Sequence, residues 1–514
     1  MVGFLIHLGY KILPNALGVR LVFVLLTTIS LYLILRIASV RNYLLFFALA
    51  FSILILQVGG FMASPDTCLV FFTVLFFLVY KDYLEQESLF LAILLGLLIG
   101  LMIYSKYNSI LIVIFLLASN LKILRRPSVY VTGLVAVITL IPHIIWSFQN
   151  DHPTIYYHLV ERNISEYRFL NYFGEYFLGQ LGIYGPLMGF ILIPVTILYK
   201  PASTFERGLK VSALGILGFF LLYTFRGKVE PNWTVQALIP MLILSYRWVE
   251  KRKILRKWVY GLAIISIVMM IGFRVYLVHD FLHLPKKVVN LSELWDCDQW
   301  TSDVNRLAGN REVVFLSSYQ RAAKYTFYTG KPAYNFENAF THRTQYAFWP
   351  EMEKELQGKS VMLFDFGDGS SLPEKKSLSW DHGITAYYSP YLNFISYNYV
   401  PIQYLSEEVI FPKDSLVKIS FRIMNPGPDP LRFNLNREAP VKIWYYIVSN
   451  DSGLVRDSEG MDISSLEIPG NEFQDIDLKI RTPEKSGDYH IIAGIRSGSL
   501  YTGKNMYFRT LTVR

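Results

Sequence analysis

The chain is short of charge and of cysteine. Only 17% of its 514 residues are Asp, Glu, Lys or Arg, against 53% hydrophobic and 16% aromatic residues, a balance unlike that of a solvated globular protein. Its two cysteines, Cys68 inside an apolar run and Cys297 in the polar half, exclude a disulfide framework and a CxxC metal site, and identify no compartment. The net charge of +9 comes without any RNA- or DNA-binding motif, so no nucleic-acid partner is expected. The opening MVGFLIHLGYKILPNALGVR is too short and too interrupted for a signal peptide or a span. Self-similar halves are also missing, which argues against the repeated architecture of a transporter.

What is present divides into two unlike halves. Met1 to about Val278 is a succession of Leu, Ile, Val and Phe runs, whereas Asp280 to Arg514 is mixed, polar and rich in Tyr. About 20 apolar residues carry a helix across the hydrocarbon core. Candidate spans are 18–38, 42–60, 66–83, 88–105, 107–121, 128–148, 176–199, 209–226, 232–249 and 258–278, about ten in all. Taken alternately, one set of gaps holds Arg36 and Arg41; Lys81; Lys122, Arg125 and Arg126; Lys200, Arg207 and Lys210; and KRKILRK at 251–257. This basic set is expected to be cytoplasmic. The other set carries Asp66, Lys106, the long loop 149–175, the loop RGKVEPNW at 226–233 and the entry to the polar half, all on the outer face.

The expected architecture is therefore a polytopic α-helical membrane bundle over 1–279, a small extracytoplasmic α/β domain over 280–400 and a C-terminal antiparallel β-sandwich, immunoglobulin-like in style, over 401–514. In the second domain, REVVFLSSYQRAAKYTFYTG reads as strand, turn and helix, and SVMLFDFGD as a buried strand. In the third, LVKISFRIM, VKIWYYIV, FQDIDLKIRT, DYHIIAGIRS and MYFRTLTVR alternate with period two between Gly/Pro turns.

Polar residues that interrupt apolar runs are the candidates for chemistry. Asp66 follows Pro65 at a loop-to-helix transition, where it is either a helix cap or a reactive carboxylate. Lys106, between Tyr104 and Tyr107, is either a snorkelling interfacial lysine or an anion-holding cation. RGKVEPNW concentrates Arg226, Lys228, Glu230, Asn232 and Trp233; its bland reading is a polar turn with an internal salt bridge and an interfacial Trp. His152 and His158 are six apart, not an i, i+4 metal pair, and the loop holding them reads as an amphipathic helix on the outer leaflet. Gln180 reads as a bundle hydrogen bond.

Several stretches carry a family resemblance: LGVRL at 17–21, SPDTCLVFF at 64–72, GLMIYSKYNSILI at 100–112, IPHIIWSFQNDHPTIYYHL at 141–159, LGQLGIYGPL at 178–187 and GKVEPNW at 227–233, with a weaker match in SSYQRAAKYTFYTG at 317–330 and HRTQYAFWP at 342–350. In their order and spacing they resemble the polyprenol-phosphate-sugar-dependent GT-C glycosyltransferases of the bacterial protein-mannosyltransferase and aminoarabinose-transferase type. Residues 400–514 lie outside the resemblance. It implies transfer of a sugar from a polyprenyl-phosphate donor to a lipid, glycan or protein acceptor of the cell envelope. The expected setting is the outer face of a bacterial inner membrane, with membrane lipids as neighbours and the C-terminal domains extracytoplasmic.

Such a donor has a good leaving group; the reaction asks for a base for the acceptor hydroxyl and fixed cations for the growing phosphate charge. The resemblance implies Asp66 as the second-loop aspartate that assists catalysis or holds the acceptor, and puts Arg321, Arg343, Gln345 and Tyr346 in family-like positions that suit sugar or acceptor; the chemistry of the outer loops adds Glu230 as a second catalytic carboxylate, Lys106, Arg226 and Lys228 at the donor phosphate, and Asn232, Trp233, His152 and His158 at sugar or acceptor. No metal ligands are assigned, and participation of a divalent cation is left open. The family's first helix and principal catalytic aspartate are expected upstream of Met1. Two other classes compete: a transporter or flippase of lipid-linked saccharides, and a catalytically inert receptor on the same scaffold.

Overall fold

A computed structural model describes residues 1–159, 161–163, 168–283, 294–316, 318–406, 409–435, 440–449 and 453–514. The chain forms two compact units, Met1–His152 with Tyr167–Phe281, and Pro153–Glu166 with Leu282–Arg514.

The first unit is helical. Among the described residues four helices are long and apolar enough to cross a membrane: Ala16–Ala38, Pro65–Glu85, Ser128–Gln149 and Lys253–Val278. A fifth arises if the pair Tyr43–Phe51 and Leu54–Phe61, bent by 88°, is one span. Val2–Ile12, Leu89–Ser105, Tyr107–Ser119 and Gly189–Leu198 are shorter apolar helices. Several of the ten expected spans are thus interrupted. The run 42–60 breaks at the bend, 176–199 is divided between Phe169–Ile183 and Gly189–Leu198, and 232–249 starts as the tighter 3-10 turn Pro231–Ala237 before Leu238–Glu250. Periodicity cannot distinguish one apolar run from two short helices joined inside it.

Packing in this unit depends on small residues. Gly96 and Gly100 lie on Leu89–Ser105, and a Cβ on either would stand 2.6 Å from the Thr132 carbonyl oxygen or 2.5 Å from Thr139 Cγ2 of Ser128–Gln149. The backbones can approach only because those side chains are absent, and Thr132 Oγ1 then donates to the Ala92 carbonyl at 2.9 Å. The end bearing the basic loops is braced by Arg247, which donates to Glu206 at 2.6 Å and to the Ile37 carbonyl at 2.9 Å. Ile37 ends one helix and Glu206 begins another, so the arginine joins a carbonyl-rich terminus to an acidic one.

The second unit contains a five-stranded sheet built from β1 (Glu312–Leu316), β2 (Ala333–Phe336), β3 (Val361–Asp365), β4 (Lys376–Trp380) and β5 (Ile384–Tyr391), in the order β2-β1-β3-β5-β4. The first three strands in that order are parallel and the other pairings antiparallel. Helices Cys297–Ala308 and Tyr319–Thr329 contribute Trp300, Val304, Ala322 and Tyr325 to the core on one face; Leu356, Phe394 and Leu500 join the core on the other. With both faces covered, β1 and β3 read as continuous apolar runs.

The C-terminal region is rich in β structure: β6 (Ile402–Tyr404), β7 (Ile410–Phe411), β8 (Leu416–Met424), β9 (Leu431–Arg432), β10 (Val441–Ser449), β11 (Gly453–Asp457), β12 (Met461–Asp462), β13 (Glu467–Ile468), β14 (Phe473–Arg481), β15 (Gly487–Ser497) and β16 (Arg509–Val513). One sheet runs β11-β10-β15-β16-β7 with β12 beside β10, another β14-β8-β6, and β13 pairs with β9. Alternate residues of β8 (Ile419, Phe421, Ile423) and of β10 (Val441, Ile443, Tyr445, Ile447) enter the same core, as the period-two pattern requires.

Candidate functional site

Three chain segments of the first unit meet at Asp66. Pro65 occupies the first turn of Pro65–Glu85, where its fixed φ suits the helix and its missing N–H is no loss. Ser64 is the N-cap but makes no side-chain cap bond. Asp66 does not cap the helix either. Its Oδ1 stands 2.5 Å from Lys106 Nζ, and its Oδ2 accepts from Asn232 Nδ2 at 2.8 Å. The two charged side chains are 13% and 20% exposed, so the pair is half-sheltered at a helix end. Next to it, Thr67 Oγ1 donates to the Gly59 and Met62 carbonyls at 3.0 and 3.1 Å, tying the helix start to the preceding turn.

Lys106 follows the C-terminus of Leu89–Ser105 with an extended backbone (φ −155°, ψ 133°), which carries its side chain out of the helical path before the short turn Tyr107–Ser109. That turn is fastened to the loop holding Asn232. Asn108 Nδ2 donates to the Trp233 carbonyl at 2.9 Å, and Gln236 Nε2 donates back to the Asn108 carbonyl at 2.9 Å.

Pro231–Ala237 is held from a third direction as well. Thr234 Oγ1 donates to Gln180 Oε1, Gln180 Nε2 to the Pro231 carbonyl, and Tyr184 OH to the Thr234 carbonyl at 2.9 Å. Gly179 makes the close approach feasible, since a Cβ there would lie 2.8 Å from Pro231 Cγ. Trp233 packs its ring against Phe220 and Tyr223, with centroids 5.5 and 6.0 Å apart. Gln180 is thus a bundle hydrogen bond that also positions the loop. Asn108, Gln236, Thr234 and Tyr184 are members of the arrangement that sequence reasoning missed; neutral polar residues in apolar runs give no signal of their own.

The remaining candidates are distributed elsewhere. Lys228 pairs with Glu175 of Phe169–Ile183 at 3.3 Å, and both are about half exposed. Arg226 is exposed. Glu230, half-buried, precedes the turn and accepts the Trp233 amide through its carbonyl at 3.0 Å. His152 Nδ1 lies 3.1 Å from Ser147 Oγ in the first unit, whereas His158 belongs to the second, on the short helix Pro153–Leu159. Burial and the nearby Arg162 hold the His158 ring below the usual imidazole range. The expected single amphipathic helix over 149–175 is replaced by shorter pieces, Pro153–Leu159, Glu161–Asn163 and the start of Phe169–Ile183; residues 160 and 164–167, like Ser317, lie outside the described residues.

Arg321 is buried, with its guanidinium 5.0 Å from the Trp300 ring and 4.4 Å from that of Phe366. The helix face that carries it turns into the aromatic core. Gln345 and Tyr346 stand on a single turn, Gln345–Phe348, whose cap Thr344 accepts from the Tyr346 amide. Arg343 lies 4.4 Å from the Tyr507 ring. Among the described residues no group of three or more His, Cys, Asp or Glu is gathered as metal ligands.

Residues 1–146 match the family described as dolichyl-phosphate-mannose-protein mannosyltransferase. Over 213 residues the chain is 26% identical to the lipid A galacturonosyltransferase RgtD of Rhizobium johnstonii, covering 39% of this chain and 43% of that protein. The match therefore spans less than half of that relative's length. A Pseudomonas fluorescens alkylpurine DNA glycosylase, AlkC bound to DNA, aligns over 95% of this chain and 99% of its own at 11% identity with a TM-score of 0.15, too low to carry an argument. The N-terminal region is thus similar to GT-C-type membrane glycosyltransferases, at limited identity. Asp66 and Lys106 fall inside the matched 146 residues, and Asn232 outside them.

Proposed function

We propose that the chain is a membrane glycosyltransferase that moves a sugar from a polyprenyl-phosphate donor to a hydroxyl of a cell-envelope acceptor at the outer face of a bacterial inner membrane. The observation that carries this reading is the convergence of Asp66, Lys106 and Asn232 at one helix end. A carboxylate, a cation and an amide are the groups that such a transfer needs near each other.

The step balances without a further reactant. The acceptor oxygen forms a bond to the anomeric carbon, the bond from that carbon to the phosphate oxygen breaks, and the acceptor proton passes to Asp66. The leaving phosphate takes the electron pair, and Lys106 meets its charge. An ammonium has three N–H donors, so Lys106 can hold Asp66 and a phosphate oxygen together. Asn232 fixes the other carboxylate oxygen, and the Asn108–Gln236 and Gln180–Thr234 bonds keep that amide in place. Arg226 and Lys228 add cationic charge on the same loop, Glu230 and Trp233 are offered to the sugar, and His152 to the acceptor. We read the C-terminal β-rich region as a sandwich that binds glycan or protein.

The bent helix pair Tyr43–Phe51 and Leu54–Phe61 is the feature that favours a second reading, a transporter of lipid-linked saccharides. That reading calls for a matching break in a second half.

The test is complementation. A deletion strain expressing Asp66→Asn or Lys106→Ala should accumulate the lipid-linked sugar seen by mass spectrometry in the deletion itself; a parental glycan profile from both variants would overturn the assignment.

A further inference from the structure

We propose that Arg274 forms a second binding site, distinct from Lys106, for the phosphate of a membrane lipid. It is the only charged residue after Lys257 in Lys253–Val278, a helix with an 18-residue window of mean hydropathy 2.2. A charge in such a setting costs about 2.5–3.5 kcal/mol at mid-membrane and less toward the rim, so it calls for a partner.

The partners present are weak. One Nη of Arg274 donates to the Gln57 carbonyl, and the guanidinium lies 4.7 Å from the centre of the Phe61 ring. Its Nε is buried and has no hydrogen-bond partner. Neither that carbonyl nor that ring carries a charge. A snorkelling arginine would send its head into water and leave all of its N–H groups solvated. Here the guanidinium is folded against Leu54–Phe61, the second member of the bent helix pair.

That segment is itself fixed. The Gly60 carbonyl accepts from Thr27 Oγ1 at 2.6 Å, and the Gly59 and Met62 carbonyls accept from Thr67. Arg274 is therefore anchored to a preformed platform that leads directly into the helix of Asp66. Besides the Nη–H taken by the Gln57 carbonyl and the enclosed Nε–H, the outer N–H groups of the guanidinium remain, and such a planar group matches phosphate oxygens. Beside it Ile271, Val275 and Val278 are 56%, 48% and 67% exposed and apolar, a surface on which an acyl or isoprenoid tail can lie. Together they suit a phosphate head with a hydrocarbon tail, which is the shared chemistry of a polyprenyl phosphate and an anionic glycerophospholipid.

The experiment uses the full chain in nanodiscs of a neutral galactolipid, doped either with polyprenyl monophosphate or with phosphatidylglycerol, and reads retained lipid by native mass spectrometry. Wild type should retain at least one of the two, and Arg274→Gln should retain about tenfold less of that lipid, the loss expected for a charge-assisted pair. Arg274→Lys, which keeps the charge without the fork, should fall between. Which lipid is lost identifies the source. Equal retention by wild type and Arg274→Gln of both lipids would overturn the site. Should Arg274→Gln fail to fold, wild type decides: no rise in unfolding temperature from either doped lipid over the neutral disc would overturn it. Because Lys106 itself meets a polyprenyl phosphate in the proposed function, that lipid is compared in the Lys106→Ala background, where adding Arg274→Gln should remove the retention that remains. The inference is independent of glycosyl transfer, because binding alone is measured.

Discussion

Asp66 and Asn232, 166 positions apart in sequence, are joined by a 2.8 Å hydrogen bond from the amide nitrogen to the carboxylate. Lys106 holds the other oxygen of the same carboxylate. The three residues lie on separate segments, so a bond between any two constrains the path of both loops.

Replacing Asp66 by Asn removes the negative charge while keeping the side chain's shape and one acceptor for Asn232. Transfer should fall by at least about a hundredfold, the usual loss on deleting a general base. The amount of folded protein should not change. An in vitro assay with purified enzyme and size-exclusion recovery of the variant check the two halves of this expectation.

Asn232→Ala should cost about ten- to a hundredfold in transfer, in keeping with one lost hydrogen bond to a charged acceptor. Paired with Asp66→Asn it should be far from additive, because the amide acts through the carboxylate. A double-mutant cycle on initial rates measures the coupling; additive losses would separate the two residues.

Gly96→Leu should prevent close contact between Leu89–Ser105 and Ser128–Gln149, since even a Cβ would meet backbone at 2.6 Å. Overpacking of this kind costs about 1–3 kcal/mol or more. The unfolding temperature in detergent should drop, and a control at Gly133, where nothing lies within 4 Å of an added Cβ, should leave it unchanged when substituted by Ala.

Glu353 supplies a pH-dependent contribution in the second unit. Burial lifts its carboxyl to about 7, although Ser396 Oγ and the Asn398 amide donate to Oε1 at 2.6 and 2.8 Å. The folded form therefore holds the proton more tightly than the unfolded chain. Its contribution to stability is complete below about pH 4.5 and is lost as pH rises through about 7, an effect of about 3 kcal/mol. Glu353→Gln keeps an acceptor and carries no charge, so its unfolding temperature should exceed that of wild type at pH 8. The difference should shrink toward pH 5 in a thermal melt series.

The sequence made Asp66 and Lys106 legible because each interrupts an apolar run, Asp66 after SP and Lys106 between two tyrosines, and Asn232 and Trp233 legible because they stand behind a proline in a charged loop. The other neutral members were not legible. Asn108 and Gln236 donate to backbone carbonyls far away in sequence and Thr234 to the Gln180 side chain, and such bonds leave no spacing pattern. In the polar half, period two identified β8, β10, β14 and β15, since alternate burial on a half-covered sheet writes itself into the residues. Arg321 illustrates the opposite case. Its guanidinium lies over the Trp300 and Phe366 rings, and the motif containing it looks the same whichever way its helix is turned.

Removing one partner of the buried Glu161–Lys504 pair should be severe. The two groups are 2.9 Å apart with side chains 9% and 2% exposed, and Lys504 Nζ also donates to the Ala339 carbonyl at 3.2 Å. Glu161→Gln or Lys504→Met alone should cost about 3–5 kcal/mol, and the double variant much less than the sum. Chemical unfolding followed by tryptophan fluorescence reads each value.

That pair has a meaning for how the chain may be divided. Glu161 belongs to an insertion between membrane-type helices, yet its cationic counterpart and the Phe508 carbonyl that receives the Tyr156 hydroxyl come from the last residues of the polypeptide. The backbone passes between the two bodies at 152/153, 166/167 and 281/282. Any stop codon introduced after 281 is therefore also a lesion upstream, stripping an interior loop of its docking partner, and a shortened gene product would not report on the helical half in its native condition.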